Sequence, residues 1–108
     1  MEWSEMSAVP PEEQKVLDAA IGQQVLREMY EDDTRATLKV ELRDKRIGVS
    51  LSADTQSAII PPGELIQAIA DLVTAHERAS TGFTGVTYEY LKDAQGQWTM
   101  VAQFAYAN

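Results

Sequence analysis

The sequence contains no cysteine. Disulfide help is therefore excluded, and a small domain that manages without it is expected in a reducing, cytoplasmic compartment. Long apolar runs are missing too. Nowhere do about 18 apolar residues follow one another, and Met1-Glu2-Trp3-Ser4-Glu5 is acidic where a leader would be basic, so no membrane partner is expected. Histidine occurs once, at His76, and a lone imidazole neither fills a metal shell nor builds a nucleophile triad without a serine or cysteine context. There is no phosphate-cradling glycine loop, no His-Glu-x-x-His helix and no Gly-x-Ser-x-Gly elbow. The sequence thus gives no ground for an enzyme, a metal site or a cofactor.

Bases are scarce where acids are dense. Of the 17 acids, nine lie within residues 1–33 against only Lys15 and Arg27, so that third carries −7 of the net −8. A phosphate backbone is repelled by such a surface, which argues against nucleic acid. Its natural complement is a basic protein, because opposed potentials raise association rates and select register. The candidate partner-binding residues are Glu12, Glu13, Glu28, Glu31, Asp32 and Asp33, on the first helix and its exit. Adjacent acids such as Glu12 and Glu13 point about 100° apart on a helix, so they do not converge for acid-base chemistry.

At 108 residues the chain is long enough for one modest core. Residues 1–9 carry no clear period and read as a loose lead-in, with residues 10–108 forming one domain. Pro10-Pro11-Glu12-Glu13 reads as a helix start, since proline loses nothing in the first turn and acids there meet the positive end of the dipole. Val16, Leu17, Ala20, Ile21, Val25 and Met29 extend an apolar face through Tyr30, and the helix is expected to end near Glu31-Asp32-Asp33.

Two hairpins flank a second helix. Leu38, Val40 and Leu42 alternate with polar residues, as do Ile47, Val49 and Leu51; with Asp44-Lys45 at the tip, Leu42 faces Ile47, Val40 faces Val49 and Leu38 faces Leu51. Ser57-Ala58-Ile59-Ile60 is a short third strand at most. Pro61-Pro62 then launches the second helix, whose stripe runs through Leu65, Ile69, Leu72 and His76, widened by Ile66, Val73 and Ala79, with Gly82 suited to a left-handed exit. In the second hairpin, Val86, Tyr88 and Tyr90 alternate on one strand and Trp98, Met100, Ala102, Phe104 and Tyr106 on the next. Parity demands an odd loop, so Ala94-Gln95-Gly96 with Gly96 left-handed sets Tyr90 against Met100, Tyr88 against Ala102 and Lys92 against Trp98. The aromatic stripe is expected to be the sheet's core face. The fold class is α+β: helix, antiparallel hairpin with a short third strand, helix, antiparallel hairpin, with both helices on one face of the sheet.

In this element order, length and acidic character the chain resembles the YezG-like immunity proteins of bacterial polymorphic toxin systems, most closely from Glu64-Leu65-Ile66 through Gly96-Gln97-Trp98-Thr99 to Phe104-Ala105-Tyr106. The resemblance implies a non-enzymatic protein that binds a cognate toxin domain, a basic one such as a nuclease, and blocks it. A small acidic secretion chaperone of the type III class I kind has the same order of helix, three strands, helix and two strands, and works as a homodimer that wraps an extended effector segment. That alternative requires exposed apolar grooves. A third class, small-molecule binding, requires a pocket with converging polar groups.

Overall fold

The structure, a computed structural model, describes residues 8–107. Of the expected lead-in, residues 1–7 with Trp3 and Met6 lie outside the described residues, whereas Val9 is buried against the body. The elements run α1 (Pro11–Arg27), β1 (Arg35–Arg43), β2 (Arg46–Ala53), β3 (Gln56–Ile59), α2 (Gly63–Arg78), β4 (Phe83–Lys92) and β5 (Trp98–Tyr106). All strand pairs are antiparallel, in the order β3-β2-β1-β4-β5. This is the expected α+β order, with the short third strand present.

Both hairpin registers follow from the side-chain period of two. Leu42, Val40 and Leu38 face Ile47, Val49 and Leu51, and Asp44 and Lys45 take φ of 51° and 66°, as a two-residue turn that matches strand twist requires. In the second hairpin Tyr90, Tyr88 and Lys92 face Met100, Ala102 and Trp98. Its loop closes through Asp93, whose carboxylate accepts the N–H groups of Gln95 at 2.9 Å and Gln97 at 2.8 Å, with Gly96 at φ 83°.

The core lies between the helices and one face of the sheet. Leu65, Ala68, Ile69, Leu72 and Val73 of α2 join Ile21 and Val25 of α1, and together they cover Ala36, Leu38, Val40, Leu51, Phe83, Val86, Tyr88 and Tyr90. The opposite sheet face is open and carries Lys39 and Arg43 around Glu41 at 3.6 and 3.9 Å.

Three expectations need correction. First, α1 ends at Arg27 and not near Glu31, because Glu28 and Met29 bond back to Val25 and Leu26 in a tighter last turn, and Gln56 Nε2 caps the Glu28 carbonyl at 2.9 Å. Its apolar face is also narrower, since Val16 is exposed. Second, the left-handed exit of α2 is Ser80 (φ 55°): Ser80 N–H bonds Glu77 O and Thr81 N–H bonds His76 O, the paired bonds of a Schellman end, and Gly82 (φ 79°) turns the chain only afterwards. Third, Ile66 stays exposed while Ala68 and Ala75 take its place in the buried stripe.

Candidate functional site

The six candidate carboxylates do not form one surface. Glu12 and Glu13 are exposed in the first turn of α1, where the helix dipole favours them. Glu28 caps the far end, about 24 Å away at a rise of about 1.5 Å per residue. Only Glu28, Glu31 and Asp32 lie close along the chain, Glu28 half-buried at the C-cap of α1 and the other two exposed in the loop after it. Arg27 beside them is engaged with Glu64 at 3.1 Å, and Lys92 Nζ donates to the Glu31 carbonyl at 3.2 Å.

Asp33 leaves the set. It is wholly buried, and its carboxylate is used up inside the chain. Oδ2 accepts the Tyr30 N–H and the Gln56 amide, each at 2.7 Å, while Oδ1 accepts the Thr55 N–H at 3.0 Å and the Thr55 hydroxyl. Burial alone would raise its pKa, but the Thr55, Tyr30 and Gln56 donors together hold it well below the usual carboxylate range. One residue along each strand of this junction, Asp54 returns the contact by accepting the Thr34 hydroxyl at 2.6 Å, the Thr34 N–H at 2.9 Å and the Arg35 N–H at 3.2 Å. The Thr34 and Arg35 donors likewise lower the pKa of Asp54. Two Asp-Thr pairs, 33–34 and 54–55, thus clasp each other and fix the acidic loop to the β2–β3 turn.

Packing opens a second candidate site that the sequence pattern did not show. The aromatic stripe of β4 and β5 was expected wholly beneath the helices, yet only its β4 half is sealed. Tyr88 and Tyr90 are buried, Trp98 and Phe104 are half-buried, and Met100 and Tyr106 are exposed. Between α1 and β5 runs an apolar groove of about 620 Å³, with Lys15, Asp18, Gly22 and Leu26 on one wall and Tyr90, Trp98 and Met100 on the other. Pro11 and Gln14 also line a second hollow of about 460 Å³, which reaches His76, Phe104 and Tyr106.

Beneath this groove a chain of hydrogen bonds crosses three elements. His76 bonds Thr81 Oγ1 through Nδ1 at 2.9 Å and Gln14 Oε1 through Nε2 at 2.8 Å. Gln14 donates its amide N–H to Asp18 Oδ1 at 2.7 Å, and the same oxygen accepts the Tyr88 hydroxyl at 2.7 Å. Because Gln14 turns its amide nitrogen to Asp18, its oxygen accepts and His76 Nε2 carries the proton. Burial lowers the His76 pKa, against the opposing pull of Asp18 and Glu13. Burial raises that of Tyr88, reinforced by the hydrogen bond to Asp18. Burial also raises that of Tyr90, whose hydroxyl is enclosed without a partner.

Both nitrogens of His76 are hydrogen-bonded, and its ring stacks on Phe104 at a centroid distance of 5.5 Å and packs at a tilt against Phe83 at 4.8 Å and Tyr106 at 6.2 Å. That is the packed histidine expected at the end of the α2 stripe. Among the described residues no group of three or more His, Cys, Asp or Glu is placed to hold a metal, and no helix is long and apolar enough to cross a membrane. Compared with known proteins, the chain matches no family model, no curated protein and no solved structure.

Proposed function

We propose that this chain is a non-enzymatic immunity protein that binds a basic bacterial toxin domain in the cytoplasm through the carboxylates at the C-terminal end of α1. The observation that carries the reading is that Glu28, Glu31 and Asp32 follow one another at the exit of α1, on a segment that the Asp33 and Asp54 hydrogen bonds tie to the β2–β3 turn. Glu31 and Asp32 are exposed and Glu28 is half-buried; together they present a negative patch, which raises the rate of encounter with a basic surface and fixes its orientation. Glu12 and Glu13 lie too far along the helix to share that contact and extend the field instead.

The test reverses Glu28, Glu31 and Asp32 to lysine. The partner is first co-purified from the native operon and identified. In stopped-flow mixing, the triple variant is expected to associate at least about ten-fold more slowly at low salt and to lose the salt dependence of the on-rate. An unchanged on-rate and salt slope would remove this surface from the proposal.

The groove between α1 and β5, together with the third strand, favours a second reading. A secretion chaperone of the type III class I kind uses this element order and needs an apolar channel for an extended effector segment. Co-purification separates the two readings: immunity yields a folded toxin domain, and the chaperone yields a segment that stays protease-sensitive away from the contact.

A further inference from the structure

We infer that β5 is a dimerisation edge, along which two copies of this chain pair antiparallel over Trp98–Tyr106 about a two-fold axis at Ala102, joining their sheets into one.

Edge strands expose unpaired peptide groups, and proteins commonly guard them with short length, proline, charge or bulges. The two edges of this sheet are treated differently. β3 has four residues and runs into Pro61-Pro62. β5 has nine, with no proline and no charged side chain, inside the stretch Ala94–Asn108 that is the longest in the sequence without a charge. Its residues Met100, Val101 and Tyr106 remain 37, 63 and 49 % exposed. In a protein of net charge −8, a second copy meets least repulsion along this strand. A basic partner finds no carboxylate on it. The occupant that fits a neutral, apolar edge of an acidic protein is therefore another copy.

The hydrogen-bonding pattern sets the register. Gln97 O accepts the Asp93 N–H at 2.8 Å and Ala107 N–H donates to Gly82 O at 2.7 Å, so odd-numbered residues of this strand turn their peptide groups toward β4. The N–H and C=O groups of Trp98, Met100, Ala102, Phe104 and Tyr106 consequently face outward. With Ala102 opposite its own copy, all nine residues pair, and each outward N–H on these five residues meets a C=O of the partner strand and each outward C=O an N–H. Met100 then lies opposite the partner's Phe104, and Trp98 opposite the partner's Tyr106. These are sulfur–aromatic and aromatic cross-strand pairs, and the smallest side chain of the five sits on the axis, where the copies must close. A single strand pair buries less than a standard interface, so the dimer is expected to depend on concentration.

Sedimentation equilibrium of the full chain tests this. The mass is expected to rise from 12.0 kDa toward twice that value between micromolar and millimolar concentration. Ala102→Pro removes an outward N–H and leaves the β4 ladder intact, so it should keep its circular dichroism and remain monomeric throughout. Val101→Lys, on the open face and solvent-exposed, should weaken dimerisation at least ten-fold and decides the matter if Ala102→Pro fails to fold. Because the chain has no cysteine, Ala102→Cys treated with a short bis-maleimide should cross-link, and Ser57→Cys on β3 should not. Wild-type chain that stays monomeric, folded variants that dimerise as the wild type does, or cross-linking at 57 in place of 102 would each overturn the inference. No toxin is needed, so its failure is separate from that of the immunity reading.

Discussion

Asp33 and Thr55 are joined twice: the carboxylate of one accepts both the hydroxyl and the backbone N–H of the other, across 22 positions of sequence. Replacing Asp33 by alanine leaves four donors without their charged acceptor and is expected to cost about 3 kcal/mol of stability, since hydrogen bonds to charged groups contribute about 1.5–3 kcal/mol net. The pH dependence has a definite sign. The folded pKa lies below the ordinary 3.8, so this contribution is full above that value and is lost as pH falls through the folded pKa. Urea unfolding from pH 7 to pH 2 should show Asp33→Asn less stable at neutrality and its acid limb flatter than that of the wild type.

His76 gives a pH response in a different window. Its folded pKa is depressed by burial below the ordinary 6.5, so the unfolded chain takes up the proton first. Stability is then full above pH 6.5 and declines below it. Denaturant midpoints measured at pH 7.5 and pH 5.5 should differ for the wild type and converge in His76→Gln, which is expected to be the less stable protein at pH 7.5. Equal wild-type midpoints at the two pH values would mean that the imidazole is not held neutral.

How far the sequence reaches can be judged from these two residues. His76 was legible because it ends a stripe of period 3.6, and both hairpin registers were legible because burying one face admits only one parity. Asp33 was not, because only the Tyr30 N–H is a local partner, three residues back, and the donors that bury the carboxylate, Thr55 and Gln56, lie on a turn 22 and 23 positions later; the one local signal is the recurrence of Asp-Thr at 33–34 and 54–55. The groove was illegible for a related reason. Alternation placed Trp98, Met100 and Phe104 on the helix side of β5, but how much of that side is covered depends on where α1 comes to rest, and α1 buries only Ile21 and Val25 fully. Helix ends were equally hidden, since Ser80 adopts a left-handed conformation for which sequence would choose Gly82.

Glu41 separates two glycines across the sheet, Gly48 on β2 and Gly85 on β4, and the two should respond oppositely to alanine. A Cβ at Gly85 would lie 2.6 Å from Val40 O, a backbone atom that cannot rotate away. Gly85→Ala is expected to cost about 1–3 kcal/mol as overpacking. At Gly48 the nearest atom is Glu41 O at 3.8 Å, an ordinary contact, so Gly48→Ala should be neutral or stabilising by up to about 1 kcal/mol through the unfolded state. Thermal unfolding of the two variants side by side tests both halves; equal shifts would show that the close approach is relieved by backbone movement.

Tyr88 and Tyr90 stack at 6.2 Å on neighbouring positions of β4, yet their hydroxyls stand in opposite situations. That of Tyr88 donates to Asp18 at 2.7 Å; that of Tyr90 is enclosed with no partner. Removing the first strips a half-buried carboxylate of a donor, so Tyr88→Phe should destabilise by about 1–2 kcal/mol. Removing the second relieves a desolvated hydroxyl without opening a cavity, so Tyr90→Phe should be neutral or stabilise by about 1 kcal/mol. The double variant should cost about as much as Tyr88→Phe alone reduced by the Tyr90 gain, unless Tyr90 turns its hydroxyl to Asp18 once Tyr88 has lost its own. That rescue would appear as a coupling of more than about 0.5 kcal/mol in the double-mutant cycle, measured by urea unfolding, and would identify the Tyr90 hydroxyl as a spare donor for Asp18 at the floor of the groove.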